Sequence, residues 1–233
     1  MPDDLTVVYY TANHINDYFA DNTRTQLLKA IGDIPIISVS KKPLDFGYNS
    51  KNFVVKLPRS QYSIYKQALI GVRAAQTKYV ALAEDDVLYS PAHFRQRSSP
   101  GTFAYNIGTW SIFTWSKDPI FTCKLNGRIN LNGLICERDL FIEALEERFR
   151  LWPNPEEIDK SIFGEPGKYD RHLGTTPRPT ETFYTNPPNI VFSHETNLQF
   201  EGLGTRKAAG QIRAYEVPYW GRAEDILKLY KEN

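Results

Sequence analysis

The chain has 233 residues, of which 41% are hydrophobic and 24% are charged, and this composition excludes disordered, collagen-like and coiled-coil proteins. Its 28 Lys and Arg against 27 Asp and Glu give a net charge of +1, which excludes a protein that holds polyanions by bulk charge alone. No apolar run reaches the roughly 18 residues of a membrane span, and Cys123 and Cys136 are too few for a disulfide scaffold, so we expect buried reduced thiols and a cytoplasmic protein.

The first hundred residues alternate between strand-like and helical patterns. Strands are predicted over 5–10, 34–39, 53–57 and 79–83, and helices over 22–31 and from a capping Ser60 to Ala75. This order is typical of an α/β sheet with parallel crossovers. The fourth strand consists of apolar residues throughout, so we expect it to be central.

The second half is less regular. Strands are predicted over 103–113, 129–136 and 189–193, and 165–188 is rich in Gly, Pro and Thr and is expected to be a loop. Three helices are expected over the ranges 139–150, 154–163 and 223–230, the second opening with Asn-Pro-Glu-Glu.

The strongest chemical feature is Glu84-Asp85-Asp86, which directly follows the fourth strand. Three acids at the carboxyl end of a buried parallel strand repel one another unless a cation lies there, and ligands of open α/β sheets bind at that edge. Because strand side chains alternate, we expect Glu84 and Asp86 to face a Mn²⁺ or Mg²⁺ ion together while Asp85 points elsewhere, toward the donor. An exposed acidic turn is the alternative.

An α/β half whose fourth strand ends in an acidic triplet followed by Val87-Leu88-Tyr89 resembles the GT-A class of nucleotide-sugar glycosyltransferases with their D-x-D motif, and especially the large inverting family 2 group. The resemblance covers roughly residues 5–90, and Glu replaces the first Asp. It implies a Rossmann-like, mixed but mostly parallel sheet flanked by helices. It also implies one domain over 1–233, with a nucleotide-sugar half (1–100) and a less regular acceptor half (101–233).

The same resemblance suggests the donor site. In this class the end of the first strand and the loop after the second hold the nucleoside, which here means residues 10–13, with Tyr10, Thr11 and Asn13, and the loop 42–49. Tyr10 is expected to stack on the base, and Thr11 to form a hydrogen bond with the ribose or a base edge. An ordinary strand end is the alternative. No G-x-G-x-x-G motif follows the first strand, which counts against NAD or FAD.

Three further residues are assigned to the metal and the diphosphate. Several families of the class complete their metal site with a C-terminal His, and His194 in Phe-Ser-His-Glu is the candidate. Arg206 and Lys207, in a Gly-containing loop, are expected to neutralise the leaving phosphate. A structural histidine and a solvated basic loop are the alternatives.

Inverting transfer needs a general base within hydrogen-bond reach of the acceptor oxygen. In inverting members of the class this acid lies downstream of the metal motif, and the candidates are Asp170 and Glu165, with Glu137 and Asp139 weaker. Asp170 is favoured because Lys168 and its other basic neighbours would keep it ionised. A surface salt bridge is the alternative, and a retaining enzyme would need no such base.

The sequence therefore predicts a glycosyltransferase that uses a UDP-sugar, with a nucleotidyltransferase or a non-catalytic carbohydrate- or nucleic-acid-binding module as alternatives. The concentration of Trp after residue 100 points to an acceptor half there. The acceptor is left open between a glycan, a lipid and a hydroxymethylated DNA base. DNA becomes a serious candidate if one face gathers the downstream cations, namely Arg95, Arg97, Lys160, Lys168, Arg171, Arg178, Arg206, Lys207 and Arg213.

Overall fold

The computed structural model describes residues 4–154, 157, 163–196 and 209–231. The helices in these ranges are α1 (Asp17–Ile31), α2 (Gln61–Ala74), α3 (Arg138–Leu151), α4 (Asp170–Leu173) and α5 (Ala223–Leu227), with a 3₁₀ turn at Leu131–Gly133. The strands are β1 (Leu5–Tyr10), β2 (Ile36–Ser40), β3 (Ser50–Val54), β4 (Tyr79–Glu84), β5 (Val87–Leu88), β6 (Phe103–Asn106), β7 (Thr109–Phe113), β8 (Phe121–Cys123), β9 (Leu134–Glu137), β10 (Thr180–Phe183), β11 (Asn189–Ser193), β12 (Ile212–Ala214), β13 (Glu216–Val217) and β14 (Gly221–Arg222).

The main sheet has seven strands in the order β10-β6-β9-β4-β1-β2-β3. β3, β2, β1 and β4 run parallel, β9 runs antiparallel to both its neighbours, and β6 and β10 are again parallel to each other. The predicted mixed, mostly parallel sheet flanked by helices is therefore confirmed. The central position predicted for the 79–83 strand is also correct.

The packing of β1 explains why the strands of this sheet have continuous apolar sequences. Val8 and Tyr10 pack on the face covered by α2 and α3, while Val7 and Tyr9 pack on the face covered by α1. A strand buried on both faces needs apolar residues at every position. Gly71 of α2 lets the helix approach closely, because a Cβ there would lie 2.4 Å from Cγ1 of Val8.

A second sheet of five strands, in the order β12-β8-β7-β11-β5, adjoins the first. Its core contains Phe192 of β11 and Phe121 of β8, and Phe19 of α1 and Ile226 of α5 pack against them. Only two residues, Asp85 and Asp86, separate the end of β4 from the start of β5, so the chain passes from the first sheet to the second through the acidic turn.

The second half differs from the sequence prediction in three places. The strand predicted over 103–113 is two strands in different sheets, because the Gly108 amide donates to Asn106 Oδ1 (2.9 Å) and the chain turns between them. The predicted strand 129–136 begins as a 3₁₀ turn. The predicted loop over 165–188 contains α4 and β10. Most of the helix predicted over 154–163 lies outside the described residues.

Two further sequence predictions can be compared with the structure. Cys123 and Cys136 are both free thiols, as expected, but only Cys136 is buried, whereas Cys123 is partly exposed. In the part of the chain that the structure describes, no helix combines the length and the apolar character needed to cross a membrane.

Candidate functional site

A cleft of about 130 Å³ opens at the carboxyl ends of β1 and β4. The first turn of α2 and the residue after β11 complete its wall. The cleft is lined by six of the residues that the sequence indicated as functional, namely Tyr10, Thr11, Glu84, Asp85, Asp86 and His194. Segments far apart in the sequence therefore meet at the edge of the sheet where the acidic triplet predicted a ligand site.

The acidic triplet is arranged differently from the prediction. Glu84 is the last residue of β4, and Asp85 and Asp86 form the turn before β5, so strand alternation does not extend across the triplet. Asp85 and Asp86 are close enough for the charge of one to raise the pKa of the other, and His194 Nε2 lies 3.7 Å from Asp86 Oδ2. The pair beside the histidine is thus Asp85 and Asp86, rather than Glu84 and Asp86.

Glu84 is held by neutral donors from the protein itself. Its Oε1 accepts the hydroxyl of Tyr10 (2.7 Å) and its Oε2 accepts Nδ2 of Asn132 (3.0 Å). Its amide donates to the Tyr89 hydroxyl (3.0 Å), which in turn donates to the Asn132 carbonyl (3.1 Å). The geometry therefore moves Glu84 from the predicted metal ligands to a network that fixes the end of β4.

Tyr10 is part of that network instead of a free stacking platform. Its side chain is 3% exposed, and burial, together with the charge of Glu84, raises its pKa well above the ordinary value. Burial at the strand end leaves the ring little surface for a base. This geometry argues against the predicted stacking role.

Asp85 is oriented by the end of β1. The Thr11 hydroxyl donates to Asp85 Oδ2, and the Asn13 amide donates to Thr11 Oγ1 (2.8 Å). Burial is the main cause that raises the pKa of Asp85 to about 6, and the charge of Asp86 adds to it. Thr11 thus uses its proton to position the carboxylate rather than to bind a ribose.

Asn13 does not line the cleft but ties two loops together. Its side-chain oxygen accepts the amides of Lys41 (2.8 Å) and Lys42 (3.0 Å), and its own backbone has φ 52°. Asparagine tolerates this left-handed conformation better than most residues. The predicted donor-binding residue is therefore a brace between the loops after β1 and β2.

His194 is buried where the second sheet meets the acidic turn. Its Nδ1 lies 3.0 Å from Thr196 Oγ1, which leaves Nε2 directed toward Asp86. The Phe192 amide donates to the Asp86 carbonyl (2.8 Å), so β11 holds both the histidine and the turn. The position expected from the sequence for His194 matches this placement, while its metal role stays a prediction.

Positive charge reaches the cleft from two side chains that the sequence analysis did not select. Lys41 follows β2, and Arg59 precedes Ser60, the N-cap of α2 whose hydroxyl accepts the Ser63 amide (3.1 Å). Arg59 Nη2 also donates to the Thr196 carbonyl. The available signal was the capping serine, because it places the preceding residue at a helix N-terminus, where anions are favoured.

The two candidates for the general base occupy different environments. Asp170 is 1% exposed, and its carboxylate faces Arg148 Nη2 (3.3 Å) and the amides of Gly167 (3.0 Å) and Arg178 (3.2 Å). It does not line the cleft. Asp170 is therefore a buried structural acid, which corrects the preference for it as the base.

Glu165 does not line the cleft either, but it is partly exposed, with 17% of its side chain accessible. The buried Tyr65 has a raised pKa, chiefly through burial but also through the charges of both Glu165 and Glu84. Glu165 forms a loose ion pair with Lys168 (3.9 Å). The weaker candidate Glu137 pairs in register with Tyr79, at the start of β4, and so lies at the opposite edge of the sheet together with its neighbour Asp139.

The remaining predictions concern the basic loop, the downstream cations and the metal site. Arg206 and Lys207 fall outside the described residues. Of the cations proposed to gather on one face, Arg97, Lys168 and Arg178 pair with Asp4, Glu165 and Glu143, respectively. Within the described ranges, no group of three or more His, Cys, Asp or Glu side chains is arranged to hold a metal ion.

Comparison with known proteins gives likenesses at the level of structure. No family model and no curated protein matches the chain. S. aureus TarS is 13% identical over 82% of this chain with a TM-score of 0.47, and the chain covers 37% of TarS. The 1–349 fragment of TarS in complex with UDP is also 13% identical over 82% of this chain (TM-score 0.46), which covers 61% of that fragment.

A third solved structure is also similar. A glycosyltransferase involved in glycosylation of the major capsid of PBCV-1 is 13% identical over 80% of this chain with a TM-score of 0.43, and 92% of it is covered. The chain is thus similar in structure to a glycosyltransferase, the class that its sequence resembles, and it spans well under two thirds of full-length TarS.

Proposed function

We propose that this chain is a metal-dependent glycosyltransferase that moves a sugar from a nucleoside diphosphate sugar, preferably a UDP-sugar, to an acceptor hydroxyl with inversion. The observation that carries the proposal is the meeting of Asp85, Asp86 and His194 in a cleft at the carboxyl ends of parallel strands. A buried pair of carboxylates beside an imidazole is costly unless it serves a ligand.

Mn²⁺ or Mg²⁺ is the cofactor of the proposal. Such an ion commonly binds through one or two carboxylates plus substrate phosphates, so Asp85 and Asp86 supply enough protein ligands. The three side chains do not form a ready-made three-ligand site, so His194, whose Nε2 lies 3.7 Å from Asp86 Oδ2, is proposed to complete the coordination when the ion binds. When bound, the ion would neutralise charge on the departing diphosphate. Glu84 supports this site indirectly, by fixing the strand end from which the turn begins.

The donor phosphates are assigned to the positive rim of the cleft. Lys41 and Arg59 line it together with the first turn of α2, where the helix dipole favours anions. Arg206 and Lys207 remain part of the proposal as the loop that covers the leaving group. UDP itself remains the prediction that comes from the sequence resemblance.

Glu165 is the proposed general base, in the role of accepting the proton of the acceptor hydroxyl. Its carboxylate is partly exposed and paired only loosely with Lys168, whereas Asp170 is closed off by Arg148 and two amides. The acceptor is a glycan, a lipid or a hydroxymethylated DNA base. A cytoplasmic location and a division into halves at residue 100 complete the proposal.

Ligand-dependent stability tests the proposal directly. UDP with Mn²⁺ is expected to raise Tm of the full chain, and Asp86→Asn is expected to abolish the part of the shift that needs metal. Asp118→Asn is the matched control, because Asp118 is exposed in the turn between β7 and β8. Binding of UDP that ignores both the metal and Asp86 would overturn the mechanism.

Activity on donors separates the proposal from its alternatives. UDP-, GDP- and dTDP-sugars are screened for slow hydrolysis, and the UDP-sugar is expected to be consumed. Release of pyrophosphate from a nucleoside triphosphate would instead indicate a nucleotidyltransferase. Once an acceptor is found, Glu165→Gln is expected to lose transfer while keeping UDP binding.

A further inference from the structure

A second cavity, of about 30 Å³, lies on one face of the second sheet and shares no lining residue with the donor cleft. Ser111 of β7, Thr122 of β8 and Val191 of β11 line it, and Lys124 and Arg128 come from the segment after β8. Its volume corresponds to about two water molecules, which suits one small polar group rather than a sugar ring or a base.

Strand register puts these side chains in one row. Arg213 of β12 lies directly opposite Thr122, Thr122 opposite Ser111, and Ser111 opposite Val191. Directly opposed residues of neighbouring strands project from the same face of a sheet. Arg213, which is exposed, therefore stands on the cavity's face of the sheet, beside Thr122.

Three cationic side chains, Lys124, Arg128 and Arg213, lie in or beside the cavity. Lys124, Arg128 and Arg213 make no ion pair with any carboxylate of the described residues. The residues that line the cavity include no Asp or Glu. Three cations without a counter-charge beside a small polar cavity are suited to an oxyanion, to which Lys and Arg make strong charge-assisted hydrogen bonds.

Thr122 provides an independent indication of a ligand. It is 4% exposed, and its Oγ1 finds no hydrogen-bond partner within the described part of the chain. Buried hydroxyls are normally hydrogen-bonded. A buried hydroxyl that has no protein partner and lies at a cavity wall is therefore suited to form a hydrogen bond with a ligand in the cavity. A phosphate oxygen accepts from a hydroxyl and from cationic side chains alike.

We propose that this cavity binds a single phosphate group carried by the acceptor, an assignment whose acceptor part rests on the proposed glycosyl transfer. The cavity adjoins the acidic turn by two routes. Val191 pairs with Val87, the first residue after the turn, and Asn130 lies two residues before Asn132, which contacts Glu84. A phosphate held here anchors the acceptor to β11, the strand that pairs with the first residue after the acidic turn.

Binding of inorganic phosphate to the full chain, measured by titration calorimetry at constant ionic strength without UDP, tests the site itself. Arg128→Ala and Lys124→Ala are each expected to raise Kd for phosphate about tenfold, the usual effect of a lost charge-assisted hydrogen bond. Thr122→Val removes the hydroxyl and keeps the shape, and it is expected to weaken binding as well. Lys29→Ala, on the exposed surface of α1, and Lys41→Ala, in the donor cleft, are the controls.

The outcomes separate this site from the donor site. Phosphate binding that is unchanged in the Lys124 and Arg128 variants, or weakened equally by Lys41→Ala, overturns the proposal while leaving UDP binding untouched. Loss of UDP binding with phosphate binding intact overturns the glycosyltransferase proposal instead. Ribose 5-phosphate is expected to bind at least as tightly as inorganic phosphate, and failure of this ester to bind would overturn the acceptor role.

Discussion

Replacing Asp85 with asparagine is expected to stabilise the metal-free protein and at the same time to remove metal-dependent binding of UDP. Burial and the neighbouring Asp86 raise the pKa of Asp85 from 3.8 to about 6. The folded state therefore binds more protons than the unfolded state between these two values, and the free energy of unfolding falls as pH rises through this window. The full shift corresponds to about 3 kcal/mol above pH 6.

Asparagine retains an oxygen that accepts the Thr11 hydroxyl and carries no charge. Urea denaturation in the presence of a chelator is expected to show Asp85→Asn more stable than the wild type by up to about 3 kcal/mol at pH 7.5 and by about 1 kcal/mol at pH 4.5. Asp118→Asn, at an exposed position, is expected to show no such difference. A variant that is less stable than the wild type at pH 7.5, or a gain that does not shrink in acid, would refute the reasoning.

Three further changes test the surroundings of the site. Burial lowers the pKa of His93 to about 3, so this side chain is neutral in the folded protein. The unfolded chain therefore takes up a proton as the pH falls from 7 to 5, and chemical denaturation is expected to show the wild type losing about 2 kcal/mol more stability over this range than His93→Phe. Tyr10→Phe removes a hydrogen bond to the charged Glu84 and is expected to cost about 1.5–3 kcal/mol, with unaltered stability contradicting the network. Arg148→Met leaves Asp170 buried without its cation and is expected to lower the free energy of unfolding by about 3–5 kcal/mol, most of which Asp170→Asn should restore in the double variant.

Several elements of the fold were predictable because their signals are local. β1 and β11 match their predicted ranges, and Ser60 caps α2 as expected, since hydrophobic periodicity and capping depend only on neighbours in the chain. The break at Asn106 was not predictable, because both flanking segments are apolar. What separates them is an asparagine side chain that contacts His93 and Thr185, residues distant in sequence.

The candidate site was predictable in position but not in detail. An acidic triplet after a central strand located the cleft correctly, whereas the roles within the triplet depended on where β4 ends and on donors such as Asn132. Asp170 was misassigned because its neighbours in sequence are basic, while its actual cation is Arg148, from another helix. Long-range partners of this kind leave no mark in a single sequence.

The hydrogen bond from the Phe192 amide to the Asp86 carbonyl makes the acidic turn a joint between the two sheets. Because β5 and β11 pair directly after it, the geometry of the turn is complete only when the second sheet has docked on the first. The turn therefore depends on contacts with both sheets, and exchange of the Phe192 amide with deuterium reports its integrity. If the turn binds metal as proposed, metal added during refolding is expected to favour the fully assembled molecule over species that contain the parallel half alone.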